Sequence, residues 1–204
     1  TLTNYNTNTL TQFDGVFRYS KVTGLIDNTD SSILSNITTL KIRKDFTPTL
    51  ASSTKYNVYF RNSLYNPHSG HNSAAGGILE SSGFKVSGDD TTVFYLDDDG
   101  ASNVRRYSFA GSTRVYANNT QGTINYNTGA IILNSLSILS VENIRGAAAT
   151  RIELTVVPAS NDVVPVRDQI LGIDTANSSI TVTADTFVGG SSDAGVGYTT
   201  TSSY

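Results

Sequence analysis

The chain has no cysteine, no methionine and no tryptophan in 204 residues, with only two histidines and four prolines. Without cysteine there is neither a disulfide framework nor a thiolate metal site, so packing and backbone pairing must hold the fold. Without methionine the sequence does not begin at a translation start, and it reads as a processed product or a piece of something longer. Charged residues make up 15%, well under the usual quarter or so. The net charge is −3, and Lys and Arg are scattered in ones and twos. No basic stripe exists to displace counterions from phosphates, which argues against a nucleic-acid partner. No apolar run approaches the roughly 20 residues that span a bilayer. The opening "TLTNYNTNTLTQ" has neither the basic nor the apolar region of a targeting segment, so no membrane partner is expected.

What is present is period-two alternation. In "TTLKIRKDF", Leu40, Ile42 and Phe46 fall on one side and Lys41, Arg43 and Asp45 on the other, the pattern of a strand with one buried face. Tyr56, Val58 and Phe60 share a face. Ile152, Leu154 and Val156 alternate with Arg151, Glu153 and Thr155, and Ile180, Val182 and Ala184 alternate with Thr181, Thr183 and Asp185. Short turns between the runs favour hairpins over helical crossovers. "YLDDDGASNVRRYSF" and "GTINYNTGAIIL" each place a glycine, Gly100 and Gly129, at a hairpin turn. "IDNTDSSI" and "DTANSSI" repeat one device, an Asp- or Asn-rich turn followed by an isoleucine that opens a strand. Helix signals are sparse. "SILSVENIRGAAAT" spaces Ile138, Val141 and Ile144 by three and stops at Gly146, predicting one or two helical turns. The tail "FVGGSSDAGVGYTTTSSY" is too rich in Gly and Ser to form a core.

Candidate chemistry is thin. His68 and His71, in "NPHSGHNSAAGG", lack the third and fourth ligands that a metal needs, so the segment reads as loop punctuation at an interface rather than a metal centre. "DDDG" fails as an EF-hand, because that register puts Tyr95 and Arg106 at the first and last ligand positions. A solvated hairpin tip with Arg105 and Arg106 nearby fits Asp97 to Asp99 better. No G-x-S-x-G follows an apolar strand, and no glycine run opens a helix to cradle phosphate. The Asn36, Asn118 and Asn177 triplets match glycosylation acceptors only as often as so much Asn, Ser and Thr would produce by chance. No enzyme activity, cofactor or metal is expected.

The segments "FRYSKVTGLIDNTDSSILSNITTLKIRKDFTPTL", "FRNSLYNPHSG", "GTINYNTGAIILNSL" and "VVPASNDVVPVRDQILGID" resemble the carboxyl-terminal part of a baseplate wedge family. The family is that of gene product six of T-even-type contractile-tailed phages. The likeness runs from about Val16 to about Asp185. It implies a virion component of the tail baseplate, assembled in the host cytoplasm. Copies would pair with each other and with other wedge and hub proteins in a ring that rearranges on sheath contraction. It carries no catalytic residues.

The expected architecture is mainly β: an antiparallel, sandwich-like domain over 13–160, preceded by a connecting segment, 1–12, and followed by a strand-bearing arm and polar tail, 161–204. Tyr56, Tyr59, Tyr95, Tyr107, Tyr116 and Tyr126 suit large permanent contacts. The expected interface residues are Asn66, Pro67, His68, His71, Arg105, Arg106, Pro165 and Arg167. The rival function is a carbohydrate- or host-surface-binding module, with Asp97 to Asp99 beside Tyr95 as its site.

Overall fold

A computed structural model describes residues 1–71, 77–166 and 169–184. Helix α1 spans Leu2–Tyr5 and runs into a π-helical turn, Asn6–Leu10; α2 is Tyr19–Asp27. Nine strands follow: β1 Ile42–Phe46, β2 Ser53–Tyr59, β3 Glu80–Ser81, β4 Phe84–Val86, β5 Asp89–Asp98, β6 Asn103–Ala110, β7 Thr113–Asn125, β8 Ala130–Val141 and β9 Ile152–Val156. Every pairing is antiparallel. The expectation of a mainly β, antiparallel protein holds.

The larger sheet runs β2-β8-β4-β5-β6-β7, and β7 pairs again with β8. Strand β8 makes this possible because it is long. Its first residues, Ala130 to Leu133, pair with β7, and Val141, Ser140 and Ile138 pair with β4. Strands β4 to β8 thereby close a barrel-like ring, which leaves β2 as an edge of this sheet. Closure removes the unpaired edges that an open sheet exposes. A smaller sheet, β1-β9-β3, contributes Ile152, Leu154 and Val156 to the same core as Leu96, Val104, Ile131, Leu133, Leu136 and Ile138. The alternation read in β1, β2 and β9 is the alternation of this core.

Both expected hairpins form. At the β5–β6 turn, the Asp99 carboxylate accepts from the Ala101 and Asn103 amides at 2.7 and 3.0 Å. At the β7–β8 turn, Asn125 Oδ1 accepts from the Asn127 and Thr128 amides at 3.0 and 3.1 Å. Gly129 there has φ 67°, and a Cβ would collide with the Asn62 carbonyl oxygen.

Three local expectations are corrected. The spacing of Ile138, Val141 and Ile144 belongs to the end of β8 and a tight turn, not to a helix. Ser135, at φ 47°, inserts an irregularity that moves the buried positions from Ile131 and Leu133 to Leu136 and Ile138. A strand with such a slip imitates spacings of three. Within the expected connecting segment, Leu2–Tyr5 and Asn6–Leu10 are helical, with Tyr5 and Leu10 buried. Helix α2 is also new. Its first amide, Tyr19, donates to Asp162 Oδ1 at 2.9 Å, and Arg18 pairs with the same carboxylate at 2.8 Å. A group 143 residues away in sequence thus does the work of an N-cap. Finally, Ile33 opens no ladder before β1, and the alternation at 180–184 forms none among the described residues.

Thr1–Gly172 form one unit and Ile173–Tyr204 a second. In the second, Asn177 and Ser178 bond back to Asp174, giving the expected Asp-initiated turn. Asp185 and the glycine-rich tail lie outside the described residues.

Candidate interaction surface

The expected contact residues divide into three places. Asn66, Pro67, His68 and His71 come together in the loop after β2. The loop is tied to the β5–β6 turn, where the Gly100 carbonyl accepts from the Gly70 amide at 2.9 Å and from Asn66 Nδ2 at 3.2 Å. His68 Nε2 lies 3.1 Å from His71 Nδ1, and Tyr65 packs edge-on against the His71 ring. Pro67 and both histidines are exposed. Beside them, a cleft of about 550 Å³ is lined by Asn66, Ser102, Tyr126, Asn127 and Ile132, among others. Among the described residues, no three His, Asp or Glu side chains come together as a metal set. Pro165 lies elsewhere, just after the Phe17–Val163 bridge that joins the two ends of the first unit. Arg167 lies outside the described residues.

Arg105 and Arg106 are neighbours with opposite fates. Arg105 points to the outer face of β6 and is taken up within the fold. Its Nε donates to Asp97 Oδ1 at 2.9 Å and its Nη2 to Asp97 Oδ2 at 3.2 Å. Arg114 and the Tyr116 hydroxyl reach the same carboxylate at 2.7 and 3.0 Å. Asp97 is 0% exposed. Asp98, equally buried, accepts from the Leu79 amide at 2.8 Å and from the Tyr126 hydroxyl at 2.6 Å. Burial, and then the bond to Asp98, push the Tyr126 hydroxyl well above its ordinary pKa. Gly77 lets the segment before β3 lie against Asp98, since a Cβ would overlap that carboxylate.

The solvated tip expected at Asp97 to Asp99 is therefore corrected to a buried polar network. An isolated buried carboxylate is prohibitive, and arginine or tyrosine donors make it tolerable. All three carboxylates are engaged in hydrogen bonds or ion pairs within the chain. Arg105, one of the expected contact residues, spends its guanidinium on this network.

Arg106 faces the barrel interior, paired in register with Leu96 on β5 and Asn118 on β7. It sits 4.9 Å from the centre of the Phe94 ring. Its Nε is buried without a hydrogen-bond partner, as is Asn66 Oδ1. Burial lowers the Arg106 pKa, partly countered by the charge of Asp89.

Two further features depart from the sequence reading. Tyr107 is buried on the outer face of the β5–β6–β7 sheet, ringed by Tyr95, Phe109 and Tyr116 at 5.4–5.8 Å, with Arg114 over it at 4.5 Å. Tyr107 and Tyr126 are thus internal, whereas Tyr59 and Phe109 are exposed. Glu153, read as solvent-facing, is buried and gathers Arg43, Arg145 and Arg151 at 3.1–3.4 Å. Asp45, directly opposite Glu153 in the ladder, would repel it. Arg43 and Arg151 bridge the two, at 3.1 and 2.8 Å from Asp45. Register held a clue to the first network: a four-residue loop after Asp98 sets Asp97 across from Arg105.

A family model described as "Baseplate structural protein gp6, C-terminal domain III" matches residues 1–45. That is 45 of 204 residues; it supports a gp6-like structural protein of the phage tail baseplate. The likeness noted in the segments beyond residue 45 falls outside the match. No curated protein and no solved structure matches.

Proposed function

We propose that the chain is a structural wedge subunit of a contractile phage tail baseplate. In this reading it joins neighbouring wedges in the ring around the hub, contacts copies of itself and other wedge and hub proteins, and rearranges on sheath contraction. The observation that carries it is the placement of bare apolar side chains within the family-matched region. Phe13, Leu34 and Ile37 are 88, 78 and 100% exposed, and all three lie in residues 1–45. Covering a large apolar side chain is worth about 1.5–3 kcal/mol, so a partner seated there gains affinity that water cannot supply. The work is done through contact area, with no reaction.

The test is sedimentation of the chain across a wide concentration range, beside Leu34→Ser with Ile37→Ser. The expected result is self-association in the parent, weakened in the variant, with equal melting temperatures because neither side chain touches the core. A parent that stays a clean monomer throughout would overturn the self-pairing part of the proposal. A map of the native particle showing this chain outside a closed ring would overturn the rest.

A further inference from the structure

Six arginines of the described residues, Arg18, Arg43, Arg105, Arg114, Arg145 and Arg151, have a carboxylate partner within 3.2 Å. Arg61 and Arg106 have no ion pair among the described residues. Arg61 is exposed, and water solvates it. Arg106 is different. It is half-buried, stacked on Phe94, and its Nε is enclosed without an acceptor.

Its place in the ring explains the exposure of the rest of the guanidinium. Leu96 and Val104, on the same inner face, are wholly buried, and from Arg106 toward the β6–β7 turn the inner face opens. Ser108 is the next inward position, and its ladder partner, Val115, is 49% exposed. Arg106 therefore lies where the core ends, with Phe94, Asn118 and Val115 around the opening. A guanidinium with five donors in a planar fork fits a carboxylate better than any other group. Asp89 offsets part of the burial of this cation without reaching it as an ion pair, and a half-buried guanidinium with no carboxylate in contact carries a cost that folding alone does not recover.

We infer that the Arg106 end of the barrel is a receptor for a carboxylate, presented by an acidic side chain of a second copy of the chain. The charge balance favours that occupant. Seventeen Asp and Glu outnumber fourteen Lys and Arg, and the internal ion pairs spend arginines at two or three to a carboxylate at Asp97 and Glu153. Outside those two clusters, carboxylates outnumber cations in the sequence of an arriving copy. Val115 at the opening and the buried Phe94 ring beneath the guanidinium make the surroundings apolar, which strengthens a charge pair there. This inference rests on the self-pairing reading above and assigns it a residue.

The experiment compares the full chain with Arg106→Met and Arg106→Lys by sedimentation and by urea denaturation. Methionine keeps the stacking on Phe94 and removes the unsatisfied charge. The expected outcome is a chain at least as stable as the parent whose self-association is weaker by roughly tenfold or more, with the lysine variant in between. A methionine variant that associates like the parent would overturn the inference and leave the self-pairing reading intact. A methionine variant less stable than the parent would also overturn it, since Arg106 would then be serving its own fold. A parent that is monomeric at every concentration would overturn both.

Discussion

Replacing Asp97 by Asn keeps the size of the side chain and removes its charge. In the folded chain that carboxylate is 0% exposed and receives four donors, two from Arg105, one from Arg114 and one from Tyr116. The asparagine amide presents N–H groups where the donors need an acceptor, so at least one guanidinium contact becomes a clash of donors. The Arg105 side chain is 10% exposed and cannot hydrate; Arg114, at 28%, recovers part of its loss from water. Breaking a buried pair from one side costs about 3–5 kcal/mol, and the half-hydrated Arg114 brings the expectation to about 3. Set against a typical stability of about 5–15 kcal/mol, that is a large fraction. Urea denaturation should show a lower midpoint with an unchanged slope, because the surface exposed on unfolding is the same. Adding Arg105→Met to Asp97→Asn should return part of the loss, a coupling that a double-mutant cycle isolates. A loss below about 1 kcal/mol, with no coupling to Arg105, would refute the claim that this pair is desolvated.

Tyr126 gives a pH dependence of opposite sense to a carboxylate. Its pKa is raised in the fold, so its contribution is complete below the unfolded value near about 10 and is lost as pH rises through the folded value. Alkaline melting curves should fall for the parent and fall less for Tyr126→Phe; parallel curves would contradict this. At the β7–β8 turn, Gly129→Ala forces a side chain into φ 67° and against the Asn62 carbonyl. A cost of about 1–3 kcal/mol is expected by thermal or urea unfolding, and an unchanged midpoint would mean that the turn re-forms elsewhere.

How much of this was legible depended on how local the cause was. Strands β1, β2 and β9 show in the sequence because burial repeats every second residue, and Val58, Phe60, Ile152 and Leu154 are buried as the pattern says. The turns at Gly100 and Gly129 show because φ above zero restricts the residue types. Helix α2 does not show, since its N-terminal acceptor is Asp162 from the far end of the unit. The burial of Asp97, Asp98 and Glu153 is equally hidden. Their partners Arg114 and Arg43 come from other strands and Tyr126 from the β7–β8 turn, and an acidic residue at a turn or on the polar side of a strand is ordinarily wet. Closure of the barrel rests on the length of β8, and the slip at Ser135 within that strand blurs the periodicity that would announce it.

Because β8 seals the ring on both flanks, the order in which the chain is made acquires a meaning. Four strands of the cylinder, β4 to β7, exist as a meander of neighbours before residue 130 leaves the ribosome. Until it does, both outer rows of amides and carbonyls stand bare. The last strand of the cylinder must also reach back to β2, whose Ser53 meets Ser137 across 84 positions. Long-range pairing of this sort is slow, on the order of milliseconds to seconds. Until that single twelve-residue segment closes the ring, newborn copies crowded on one message present open edges to one another.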